Sequence, residues 1–160
     1  MYDFRPPADT PKPEVYRQLV EAADALTKDE PDAVANMANV AALLWEFLPD
    51  VNWTGFYRVR GHELVLRAFA GRPACIRIPV GTGVCGTAAA DRASVLVEDV
   101  HAFPGHIACD AETLSELVVP VMRKGEVVAV IDLDSPVKAR FENEDRLGIE
   151  QLAATLSDRI

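Results

Sequence analysis

Positive charge is what this 160-residue chain has least of: 16 Lys and Arg stand against 25 Asp and Glu, a formal net charge of −9. No basic cluster interrupts the excess, so the phosphate attraction on which nucleic-acid binders depend is missing, and nucleic acid is excluded as an expected partner. No apolar run approaches the ~20 residues of a membrane span, and no membrane association is expected. The N-terminus, MYDFRPPADTPKPE, is polar and proline-rich and has no signal-peptide character. A soluble, cytoplasmic protein is the expectation. Cysteine is scarce as well, and an odd total of three argues against a static disulfide framework. Free thiols, metal ligation or a transient redox bond remain.

What is present suits one packed core. Hydrophobic residues make up 49% of the chain, and its length fits one domain. Residues 1–12 carry Pro6, Pro7 and Pro11 and read as an extended or disordered lead-in, with the single domain over 13–160. Val15, Leu19, Ala22, Ala23 and Leu26 fall at helical spacing after Pro13. A second helix is predicted from near Pro31 to Pro49, with Val34, Met37, Ala38, Ala41, Leu44, Trp45 and Leu48 on its covering face. A last helix begins near 141–145 and covers with Leu147, Leu152 and Leu156.

Between these helices the period changes to two. Trp53, Gly55, Tyr57 and Val59 share one face of a strand, which turns at 60–62 into a partner over 64–69. Two aromatics flanking a glycine leave a flat recess for stacking, although aromatics are common in strands in any case. Segment 94–98 reads as a further strand, and 116–122 with 127–133 as a second hairpin. The order predicts an α+β fold: a mostly antiparallel sheet of about six strands with helices packed on it.

The chemistry gathers in three places. Cys109 lies in a short polar segment between His106 and Asp110, where a thiolate can be tuned by local charge. Cys85 sits in a glycine-rich loop whose Gly81, Gly83 and Gly86 match G-x-G-x-x-G, with Asp99 downstream. Flanking hairpins and too few residues for a doubly wound sheet exclude a dinucleotide fold. The loop could still aim backbone amides at an anion. Asp132 and Asp134, two apart in VAVIDLDSP, point to one face if the strand persists, and Glu116 opens the neighbouring strand.

NWTGFY, ACIRIPVGTGVCGTA, VEDVHAFPGHIACDAETLSE and VIDLDS, with cysteines ten and then twenty-four residues apart, resemble the free methionine-(R)-sulfoxide reductases, which are single GAF domains. The resemblance runs from about Val34 to Leu156. It implies a GAF-like fold, Cys109 as nucleophile on the sulfoxide sulfur and Cys75 as the thiol that resolves the sulfenic acid, with Cys85 a pocket residue or alternative disulfide partner. It implies substrate contacts from Trp53, Tyr57, Glu116, Asp132 and Asp134. Free methionine sulfoxide and a thioredoxin-like reductant are the implied partners, a homodimer is left open, and no cofactor or metal is expected. Two other readings stand beside it: a non-catalytic GAF-type ligand-binding module, and a zinc site from the three cysteines with His101 or His106. The second lacks any closely spaced ligand pair.

Overall fold

The computed structural model describes residues 5–160; the beginning of the expected lead-in, 1–4, lies outside them. Six strands form one antiparallel sheet in the order β3-β2-β1-β6-β5-β4. They are β1 (Trp53–Arg60), β2 (Glu63–Gly71), β3 (Arg77–Pro79), β4 (Val95–Val97), β5 (Ser115–Arg123) and β6 (Glu126–Ser135), with helices α1 (Lys12–Thr27), α2 (Ala33–Phe47), α3 (Gly83–Asp91) and α4 (Asn143–Leu156). The α+β expectation and both hairpins are met. Among the described residues, no helix is long and apolar enough to cross a membrane.

Alternation along β5 and β6 sorts the two sides of the sheet. Leu117, Val119, Val121, Ala129, Ile131 and Leu133 join the core beneath α1, α2 and α4. Val118 and Val130 join a second core with Trp53, Tyr57 and α3. Glu116, Asp132 and Asp134 share the parity of that second side. The larger core therefore fixes the sheet, and the smaller one frames a site.

Local chemistry sets the helix ends. The Asp32 carboxylate accepts the amides of Val34 and Ala35 at 2.8 and 2.9 Å, so α2 starts two residues after Pro31. Leu48, which precedes Pro49, is extended and ends it. On α4, Asp145 closes a capping box by accepting the Glu142 amide at 2.7 Å. Its carboxylate also accepts the Tyr16 hydroxyl at 2.7 Å and pairs with Lys12 at 2.9 Å, tying α1 to α4.

Two covering faces differ from expectation. On α2, Val34 and Trp45 are 61% and 42% exposed, and Ala38 is exposed too. Asn36, Val40, Leu43 and Phe47 take the inner positions beside Met37, Ala41 and Leu44. The helix is turned so that Trp45 lines a groove with Pro6 and Pro7. On α4, Leu147 is 51% exposed while Asp145 and Gly148 face inward. A Cβ at Gly148 would come within 2.2 Å of the Tyr16 ring, so glycine there admits the aromatic, which hydropathy alone does not reveal.

Candidate functional site

The second face of the sheet carries a pocket lined by Trp53 and Tyr57 from β1, Cys85 from α3, His106, Cys109 and Asp110 from the β4–β5 connection, Glu116 from β5 and Asp132 and Asp134 from β6. It encloses about 460 Å³ between atoms, solvent at its mouth included. All eight residues singled out in the sequence are brought together, Cys75 through its bond to Cys109.

Cys75 and Cys109 form a disulfide, with Cα atoms 5.7 Å apart across a separation of 34 residues. Both cysteines are half-buried, so the bond lies at the pocket's rim. The Tyr57 hydroxyl donates to the Cys75 carbonyl at 2.9 Å and holds that rim to β1. Cys85 is free and 3% exposed. Its placement corrects the sequence reading, because it lies in the first turn of α3 and not in the glycine loop. Burial first, then the charges of Asp132 and Glu116, push its thiol pKa well up. Cys85 is thus held as a neutral thiol.

The flat recess predicted beside Gly55 is filled. A Cβ there would meet the Phe69 Cβ at 2.5 Å and the Trp53 ring at 2.7 Å. Trp53 instead stacks between Phe69 and Tyr57, with ring centroids 5.3 and 5.9 Å away. Its indole nitrogen donates to the Arg72 carbonyl at 3.1 Å, leaving a fixed apolar wall for the pocket.

Beside that wall, on the same face of the sheet, stand three carboxyl groups: Asp134 pairs with Trp53 across β1 and β6, and Glu116 with Asp134 across β5 and β6. Glu116 is 7% and Asp132 6% exposed, while Asp134 keeps partial exposure. Burial, followed by mutual repulsion, raises Glu116 well above the ordinary carboxylate range. Asp134 is raised in the same way, by burial and then by Asp132 and Asp110. Asp132 rises only to about 6: burial pushes it up, and hydrogen bonds from Cys85 and Glu116 hold it back. Of the three, Asp132 is the one whose hydrogen bonds favour its charged form, while burial and mutual repulsion favour a proton on the other two. The Asp132 Oδ1 is buried without a hydrogen-bond partner. That leaves one buried acceptor able to take a further hydrogen bond.

His106, read from the sequence as a loop residue, also belongs to the pocket. Its Nε2 lies 3.9 Å from Glu116 Oε2, and burial lowers its pKa and favours neutral imidazole. The signal available in the sequence was its position three residues before Cys109. The first turn of α3, which also carries Cys85, has no side-chain cap: Thr82 makes no capping hydrogen bond, and Gly83 and Val84 line the pocket. Uncapped helix amides suit an anion. The site therefore offers an apolar wall, a cluster of buried carboxyl groups, uncapped helix amides and a disulfide-bonded cysteine pair. The zinc reading that drew on all three cysteines does not fit this disulfide form, in which Cys75 and Cys109 are bonded to each other.

Comparison with known proteins agrees with the motif resemblance. Residues 27–160 match the GAF-domain family. The chain is 49% identical over 145 residues to the free methionine-R-sulfoxide reductase of Escherichia coli (strain K12), covering 91% of this chain and 88% of that protein. It is 52% identical over 143 residues to protein YtsP of Bacillus subtilis (strain 168), covering 88% of each. The crystal structure of free methionine-R-sulfoxide reductase from Neisseria meningitidis in complex with its substrate superposes with a TM-score of 0.91 at 43% identity, covering 95% of this chain and 92% of that one.

Proposed function

The chain belongs to the free methionine-R-sulfoxide reductases, a GAF-domain family, and from that membership we propose how its residues reduce the free R-sulfoxide. The single observation that carries the mechanism is a cysteine pair, Cys75 and Cys109, bonded at the rim of a pocket that is also lined by the carboxyl groups of Glu116, Asp132 and Asp134.

Free methionine sulfoxide carries an ammonium, a carboxylate and an S-methyl group, and each has a complement here. Asp132 takes the ammonium with its unpartnered Oδ1, the first-turn amides of α3 take the carboxylate, and Trp53 and Tyr57 wall the methyl end. Glu116, whose burial and acidic neighbours raise its pKa and favour its protonated form, protonates the sulfoxide oxygen. The Cys109 thiolate attacks the sulfoxide sulfur as that proton arrives. Two electrons pass to the substrate, methionine leaves, and Cys109 retains the oxygen as a sulfenic acid. Cys75 then attacks the Cys109 sulfur, expelling water and closing the disulfide that the structure holds. In sum, one sulfoxide and two thiols give one methionine, one disulfide and one water. A dithiol protein of the thioredoxin class returns the pair to thiols by exchange. Cys85, neutral and buried, is not the attacking group.

The experiment is a single turnover on reduced protein. One methionine per chain should appear as two thiols disappear, and peptide mapping should find Cys75 joined to Cys109. A disulfide through Cys85 would overturn the assignment of the resolving thiol, and methionine formed without thiol loss would overturn the mechanism.

A further inference from the structure

The proposed mechanism leaves the sulfur of Cys85 without a task. Its Sγ sits 4.0 Å from Glu116 Oε1, and one ligand atom each from Cys85, Glu116 and Asp132 lie within 4.8 Å of one another. All three residues are more than nine-tenths buried. The buried Asp132 Oδ1 has no hydrogen-bond partner, an independent sign that the cluster is built around something it does not itself supply. An ammonium needs only oxygen acceptors, so the thiol adds nothing to that role. A divalent cation of borderline softness does use thiolate and carboxylate together.

We infer that Cys85, Glu116 and Asp132 form a three-ligand binding site for a zinc-class divalent cation, and that the bound cation closes the pocket by occupying the place of the substrate ammonium. The second half rests on the ammonium assignment under Proposed function; the first half does not. Zinc bonds of about 2.0–2.3 Å place tetrahedral ligand atoms about 3.5 Å apart, so the cluster must contract by about 1 Å on binding. Binding releases the Cys85 thiol proton and the proton shared among the carboxyl groups to solvent. No oxidation or reduction is involved. Magnesium and calcium, which seek six or more oxygen ligands, find too few here.

The disulfide form of the protein isolates the question, because Cys75 and Cys109 are bonded to each other and Cys85 is the free cysteine. That form is titrated with Co²⁺ as a spectroscopic stand-in, and with Zn²⁺ in competition with a chromophoric chelator. The expected result is one equivalent bound, with a near-ultraviolet thiolate-to-cobalt absorption that Zn²⁺ abolishes and Mg²⁺ does not. Cys85→Ser should lose the band. Asp132→Asn, whose shape is conserved, should keep the fold by circular dichroism and weaken binding by about 10–100-fold or more. No band in the unmodified protein, a band that persists in Cys85→Ser, or unchanged affinity in Asp132→Asn overturns the site. Inhibition is then read on the reduced enzyme, where Zn²⁺ should raise the apparent KM for the free sulfoxide. Binding without competition would overturn only the second half, while turnover in chelator-treated buffer tests the reductase reading separately.

Discussion

Glu116 on β5 stands directly opposite Asp134 on β6, so two carboxyl groups occupy one rung of an antiparallel ladder. Like charges in that position repel, and burial sharpens the effect. The sheet can hold them because protons neutralise part of the charge, which is what the raised pKa values of both groups express. The proposed roles of this cluster, Asp132 as the acceptor for an ammonium and Glu116 as a proton donor, rest on that sharing of charge and on the unpartnered Asp132 Oδ1.

The two bonded cysteines should respond differently to substitution. Cys109→Ser is expected to abolish turnover without unfolding the protein, since a hydroxyl is a far weaker nucleophile than a thiolate. Cys75→Ser should release one methionine per chain quickly and then stall. Rapid-quench analysis of methionine formation checks both. Normal single turnover by Cys109→Ser would contradict the nucleophile assignment.

The acid cluster should weaken the ligand-free fold as pH rises. Asp132 has its folded pKa raised from 3.8 to about 6, so it costs nothing where both states are protonated, and the cost grows from about pH 4 and is complete above about pH 6. Asp132→Asn should therefore stabilise the ligand-free protein by on the order of 2 kcal/mol at pH 7 and by almost nothing at pH 4. Thermal unfolding of both proteins across that range checks the sign. A gain that is the same at every pH would contradict the shift.

Asp145 should behave in the opposite way. Although burial alone would raise it, hydrogen bonds from Lys12 and Tyr16 and the Glu142 amide leave its pKa below 3.8. Its contribution is present above the unfolded value near 3.8 and is lost as pH falls through the lower folded one. Asp145→Asn is expected to cost about 2 kcal/mol or more at pH 7, with the difference from the native protein shrinking below pH 4. The same unfolding series measures it.

Much of this was legible in the sequence, and the reasons differ by element. Both hairpins showed through the two-residue period and the turns at Gly61 and Gly125. The parity that sends Asp132 and Asp134 to one face followed from that period, as did the side shared by Trp53 and Tyr57. The covering faces were less legible. Asp145 and Gly148 look wrong for a core until Tyr16 is seen against them, and Asn36 is buried because its amide donates to the carbonyls of Glu30 and Arg159. Such positions are decided by a distant partner, not by a local pattern. Cys85 was misplaced for a related reason, since the glycines around it read as a loop while Gly83 already begins α3. The contribution of His106 depended on a contact across the pocket that spacing alone cannot supply.

The central claim is that the pocket is made for the free amino acid, and the most direct measurement is kcat/KM with the R and S epimers of free methionine sulfoxide and with the N-acetylated R epimer. N-acetylation removes the ammonium that Asp132 is proposed to hold, and one lost charge-assisted hydrogen bond is worth ~1.5–3 kcal/mol. The account expects reductant consumption with the free R epimer, little with the S epimer, and a fall of at least about tenfold on acetylation, narrowed in Asp132→Asn chiefly because the free substrate is weakened. Equal values for the free and acetylated R epimers on the unmodified protein would contradict it.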